Sequence, residues 1–178
     1  MHPQHYLSRE KEKARYLTHK NDVSNPGYQN FVRPVIETVT THTTTRQHGL
    51  DYGAGTGPVI TKLLQEKGYN MTTYDPIFIP DPYALEATYD FIVCCEVVEH
   101  FHCPQSEFAQ FNKLLHSSGL LVIKTELLTL EIDFPNWYYK NDPTHTIFYS
   151  TEGMRLLLDQ HHFKSIKISP RLVVAKKL

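Results

Sequence analysis

A largely parallel β-sheet covered by helices on both faces, the α/β class, is predicted by three observations. From residue 49 onward, strand-like and helix-like stretches alternate. Two strand-like stretches, YDFIVCCEV (89–97) and LLVIKTE (120–126), are nearly continuous apolar runs, as strands buried on both faces require. A glycine-rich turn, LDYGAGTGP at 50–58, joins the first strand of the alternation to its first helix.

The elements follow in order. Residues 7–20, LSREKEKARYLTHK, read as a helix that Ser8 caps. Its Arg9, Lys11, Lys13 and Arg15 are interleaved with Glu10 and Glu12, the pattern of a solvated face. Residues 28–41 carry Phe31, Val32, Val35, Ile36 and Val39 at helical period. Pro34 suits a helix start better than its middle, and TVTTHTTTRQ (38–47) reads as a loop. Residues 1–48 are therefore expected to form a helical cap on a core spanning 49–178, in one structural domain overall. Within that core, 49–53 is a strand, 58–67 a helix ending at Gly68, and 70–75 the second strand. The apolar run at 89–97 is followed by a helix near 105–116 and by the strand at 120–126. Ser150 caps a helix through 162, and 163–169 with 171–177 close the chain as an antiparallel hairpin, so the sheet ends on an antiparallel strand. Only 14 residues, three of them proline, separate Asp75 from Asp90. A crossover helix and another strand do not fit there, which leaves an extended loop or one short turn.

Composition narrows the function. With 178 residues, a net charge of −1 and a pI near 6.8, the chain lacks the basic excess of a broad nucleic-acid surface. No stretch has the look of a signal peptide or a bilayer span. The cysteines are Cys94, Cys95 and Cys103, two of them adjacent, which is no disulfide framework and points to a reducing, cytoplasmic setting. A zinc site from Cys95, Cys103 and nearby histidines lacks paired CxxC spacing.

The glycine turn supplies backbone that approaches a ligand closely, at a helix start where N–H groups favour an acceptor-rich partner. Asp75 ends the second strand, 24 residues after Asp51, where a carboxylate accepts from ribose hydroxyls. Both a dinucleotide and an adenosyl cofactor match this much. The dinucleotide pattern, however, wants a third glycine at 58, where this chain has Pro.

Taken together, LDYGAGTG, YDP, YDFIVCCEVVEHF and LLHSSGLLVIKT resemble the class I S-adenosylmethionine-dependent methyltransferases, from about residue 49 to the end. The resemblance implies their Rossmann-like sheet and S-adenosylmethionine as cofactor. Gly53, Ala54, Gly55 and Gly57 would lie against its methionine part and ribose. Asp51 would orient the loop or meet the amino group, Asp75 would hold the ribose hydroxyls, and Cys95 and Glu96 would line the reacting end. The family's adenine contacts do not carry over, because 76–89 is too short; Pro82 and Tyr83 stand in as candidates for that wall.

CEVVEHF at 95–101 holds a second constellation. As a helix start, its Glu96, Glu99 and His100 would share one face. With His145 of DPTH, the segment is similar to metal-using O-methyltransferases of the ubiquinone pathway and of small-RNA 3′ ends. By that resemblance Glu96, Glu99, His100 and His145 would hold Mg²⁺, with His100, His145 and Glu96 as the catalytic candidates. Trp137, Tyr138, Tyr139 and Phe148 are candidates for an aromatic wall. Lys140 and Arg155 would meet an anionic substrate, although solvated surface is their default. The expected activity is O-methylation of a small hydroxylated metabolite. The alternatives are 2′-O-methylation of an RNA 3′ end, a dinucleotide oxidoreductase, which Pro58 and the ExxEH segment oppose, and a module that binds S-adenosylmethionine without turnover.

Overall fold

The computed structural model describes residues 1–18 and 21–178. Its order is α1 (Arg9–Tyr16), α2 (Pro26–His42), β1 (His48–Tyr52), α3 (Val59–Glu66), β2 (Asn70–Tyr74), β3 (Tyr89–Cys95), α4 (Pro104–Leu114), β4 (Leu115–Lys124), α5 (Thr151–Gln160), β5 (Phe163–Ser169) and β6 (Leu172–Lys177). The strands form one six-stranded sheet in the order β2-β1-β3-β4-β6-β5. The pairs from β2 to β4 are parallel, and β6 runs antiparallel to both β4 and β5. The predicted class, the parallel run and the antiparallel close are all present.

Strand β3 explains why its sequence is apolar throughout. Ile92 and Cys94 face a core built with Phe108 and Phe111 of α4 and Met154 and Leu158 of α5. Phe91 and Val93 face the opposite core, with Val32, Val35 and Val39 of α2 and Ile60 and Leu64 of α3. Successive side chains point to opposite faces, so a strand with helices on both sides cannot afford a polar stripe. The carboxyl ends of the parallel strands are left as the one edge where loops converge.

Two N-terminal expectations need correction. Pro34 lies inside α2, which starts eight residues earlier: Asn25 Oδ1 accepts from the Gly27 and Tyr28 amides, and Pro26 opens the first turn. The carbonyl that Pro34 leaves without its helical partner belongs to Asn30, and both residues are exposed to water. The threonine tract is not wholly a loop either, since α2 continues to His42. Thr38 and Thr41 turn their hydroxyls back onto the carbonyls four residues earlier, and Val39 is fully buried. Ser8 caps α1 as expected, while residues 19–20 of the anticipated helix lie outside the described residues.

The short 76–89 segment forms a bridge between Asp75 and Ile79 and one 3-10 turn at Pro82–Leu85, in place of a helix and strand. Among the described residues no helix is long and apolar enough to cross a membrane.

Candidate functional site

A cavity of about 1150 Å³ opens at the carboxyl edge of β1, β2 and β3. The glycine turn forms one wall. Gly53 and Ala54 donate their amides to Tyr74 O at 2.8 and 3.1 Å, which ties the turn to the end of β2. Gly53 has φ +81°, and a Cβ there would come within 2.7 Å of Val97 Cγ1. Gly57 lies so close to the Asn21 carbonyl that a side chain would displace it. Gly53→Ala should therefore cost about 2–4 kcal/mol, from left-handed strain plus overlap. Urea melts check this, and a loss within about 0.5 kcal/mol would show that the two loops do not interlock.

Asp75 lines the cavity beside the glycine turn and is 8% exposed. Its Oδ1 accepts the Ile77 and Phe78 amides at 2.8 and 2.9 Å, and its Oδ2 accepts the Gly55 amide at 3.0 Å. One carboxylate thus fixes the glycine turn and the loop after β2. Asp51, at 3% exposure, accepts Thr61 Oγ1 at 2.8 Å, and burial pushes its carboxyl up to about 6. Asp51, Gly53, Ala54, Gly55, Gly57, Asp75 and Cys95 all line this cavity. Burial raises the Cys95 thiol well above its ordinary value, so it stays protonated. Pro82 and Tyr83 do not reach the cavity, and Tyr83 is 75% exposed; from this segment Pro76, Ile77 and Phe78 line it instead. The bridge at Asp75 folds the chain back before it reaches residue 82.

The second constellation converges by a different route from the expected helix. Glu96 has φ +53° and is followed by a 3-10 turn at Val98–His100; α4 begins only at Pro104. Glu96 and Glu99 consequently do not share a helix face. Glu99, His100 and His145 nonetheless place one ligating atom each within 4.8 Å of one another. His100 Nδ1 lies 3.0 Å from Thr144 O and His145 Nδ1 2.7 Å from Tyr139 O; a carbonyl only accepts, so both rings donate through Nδ1. Burial lowers the His145 pKa from its ordinary value, against the pull of Asp142.

Glu99 is 1% exposed and takes hydrogen bonds from Thr125 Oγ1 at 3.0 Å and Tyr139 Oη at 2.5 Å. Burial first, then the charge of Glu96, pushes its carboxyl upward. Glu96 pairs with Lys124 Nζ at 3.1 Å and receives Tyr139 Oη at 3.0 Å. It lines the cavity beside His100 and His145 but falls outside their ligating group.

Of the aromatic candidates, Tyr138 and Tyr139 reach the cavity and Trp137 and Phe148 do not. Trp137 is buried and donates Nε1 to Glu126. Lys140 and Arg155 are also outside, with Arg155 paired to Glu152 on the surface of α5. Sequence reasoning missed Arg9, Glu12, Arg15 and Tyr16, all of which line the cavity from α1. Their 3–4-residue spacing marks one helix face, but alternating charge gave no sign of what that face covers.

Residues 25–168 match the family model described as a methyltransferase domain. No individually curated protein matches the chain. Among solved structures, the fold is similar to Burkholderia thailandensis 1,6-didemethyltoxoflavin-N1-methyltransferase with bound 1,6-didemethyltoxoflavin and S-adenosylhomocysteine. The TM-score is 0.64 at 19% identity, over 96% of this chain and 91% of that one. It is similar to a SAM-dependent methyltransferase from Archaeoglobus fulgidus, with TM-score 0.63 at 17% identity, over 84% and 94% of the two chains. The pyocyanin biosynthetic protein PhzM gives 0.57 at 12% identity; 85% of this chain aligns, but it spans only 56% of that one. At such identities the likeness is one of fold.

Proposed function

Because the chain belongs to the class I S-adenosylmethionine-dependent methyltransferases, we propose that it methylates an oxygen of a small hydroxylated molecule bound between Glu96, His100 and His145. The observation that carries this reading is one cavity with two chemistries. Its cofactor side is organised by Asp75 and the glycine turn, and its other side by the Glu96 carboxylate and the oriented imidazoles of His100 and His145.

In this reading the Asp75 carboxylate, already aligned by three amides, accepts from a ribose hydroxyl with the lone pair that Oδ2 keeps. The substrate oxygen forms a bond to the methyl carbon as the sulfur–carbon bond breaks, and that electron pair stays on sulfur in S-adenosylhomocysteine. Glu96 takes the hydroxyl proton, and its pairing with Lys124 keeps the carboxylate aimed. Holding the oxygen in line with the sulfonium methyl contributes most to the rate, on the order of 7–11 kcal/mol at best.

A divalent cation fits the donor set of Glu99, His100 and His145, since both imidazoles are locked through Nδ1 by carbonyls. Two nitrogens and one carboxylate suit a transition metal better than Mg²⁺, which prefers oxygen. Bound there, a cation supplies Lewis-acid acidification of a substrate hydroxyl.

Two measurements test the proposal. Incubation with methyl-labelled S-adenosylmethionine should label the small-molecule fraction of a cell extract; label confined to RNA would overturn the substrate class. Calorimetry with Mn²⁺ should detect a site that His145→Ala removes, and no heat with the wild type would discard the cation.

A further inference from the structure

Helix α1 crosses the mouth of the cavity, yet it has no buried residue. Its one aromatic, the half-buried Tyr16, does not by itself hold eight residues in place. Besides the Glu12 carboxylate, 3.4 Å from His102 Nε2, the contacts that hold it run to the two loops that make the site. At its start, Arg9 Nη2 donates to Pro76 O at 2.7 Å, the residue after Asp75, and Lys13 Nζ lies 5.9 Å from the centre of the Phe78 ring. This is the loop whose amides at 77 and 78 are bound by Asp75. At its end, Arg15 Nη2 meets Asp142 Oδ2 at 2.6 Å. The other oxygen, Asp142 Oδ1, accepts the Thr144 amide and hydroxyl at 3.0 and 2.6 Å, and Asp142 O accepts the His145 amide at 3.1 Å. Tyr16 packs edge-on to His100 with ring centres 5.3 Å apart, and His100 in turn is fixed to Thr144 O.

One short helix therefore grips the cofactor loop with its first turn and the imidazole loop with its last. We propose that Arg15 is a positioning residue for His145 and that α1 couples the two loops, so that filling the cofactor side orders the 142–147 segment on the substrate side. The inference rests on the cofactor reading above. The geometry gives it a direction: the cofactor braces 75–78, the braced loop offers Pro76 O to Arg9, and the docked helix presents Arg15 to Asp142. By linkage the effect is reciprocal, so loosening the Arg15 end also weakens cofactor binding. The ties are charged and lie at the surface, so each is individually weak, and the helix docks only when several form together.

Amide hydrogen exchange with S-adenosylhomocysteine as the probe tests this. In the wild type, adding it should slow exchange at 53–57 and 75–78, and also, by about tenfold, at the amides of Thr144, His145, Thr146 and Ile147. In Arg15→Met the first two segments should still respond, while the slowing at 144–147 is lost; Arg15→Lys should restore part of it. Exchange in β3 and β4 reports whether each variant remains folded, and a variant that unfolds there is replaced by Arg9→Met, which cuts the other end of the same bracket. Persistence of the slowing at 144–147 in Arg15→Met, or its absence in wild type whose 53–57 segment is protected, would overturn the coupling. Absence of protection at 53–57 in the wild type would instead overturn the cofactor reading, and the coupling with it.

Discussion

Asp75→Ala should weaken S-adenosylhomocysteine binding about 100-fold, close to 3 kcal/mol, as read by titration calorimetry. Two losses combine. The ribose hydroxyl loses its acceptor, and the amides of Gly55, Ile77 and Phe78 lose theirs, so both walls of the cofactor cleft relax together. Asp75→Asn separates the two. It keeps one carbonyl oxygen for the loop amides but presents an NH₂ in place of the second acceptor, so most of the fold should survive while affinity still drops at least tenfold. Unchanged affinity in Asp75→Ala would mean that the sugar lies elsewhere and that the carboxylate serves only the loops.

Asp51→Asn should have the opposite effect on stability. Burial raises the Asp51 pKa from 3.8 to about 6. Between those values the folded state holds a proton that the unfolded state has released, so stability falls as pH rises through this window and stays reduced above it. A shift of that size corresponds to about 3 kcal/mol at most. Asparagine keeps an oxygen for Thr61 Oγ1 and carries no charge to bury. The variant should melt higher than wild type at pH 8, with the difference shrinking towards zero below pH 4. If Asp51 meets the amino group of the cofactor, the same variant should bind S-adenosylhomocysteine about tenfold more weakly. Greater stability with undiminished affinity would assign Asp51 to the scaffold alone. A melting gain that ignores pH would remove the burial argument.

The readable part of the site was the part that local chain geometry fixes. The turn at 53–57 needs glycine at 53, where φ is +81° and a Cβ would meet Val97, and at 57, where it would meet the Asn21 carbonyl; Asp75 follows a strand whose length places it at the sheet edge, so spacing alone reached both. The second constellation was read through the wrong local structure. Its spacing suggested one helix face, whereas Glu96 adopts a left-handed backbone and a single 3-10 turn follows. Glu99, His100 and His145 still meet, because the 142–147 segment folds against that turn: the amides of Thr146 and Ile147 bond Glu99 O, and Thr144 O takes His100 Nδ1. Those bonds join residues more than 40 positions apart, and no periodicity encodes them.

The sequence by itself determined the layered, largely parallel sheet, its antiparallel close and the strand–turn–helix unit that carries the glycine turn. These depend on alternation of side-chain direction, on apolar runs that must be buried on both faces, and on glycines and an acid at fixed offsets along one strand–turn–helix unit. Tertiary structure alone decided what closes the cavity and which charges face it. Arg9 and Arg15 look like solvated surface in a helix of alternating sign, and become part of the site only because two distant loops present Pro76 O and Asp142 to them. A charged side chain takes its role from the partner it meets, and that partner is set by how the chain folds back, which local pattern does not carry.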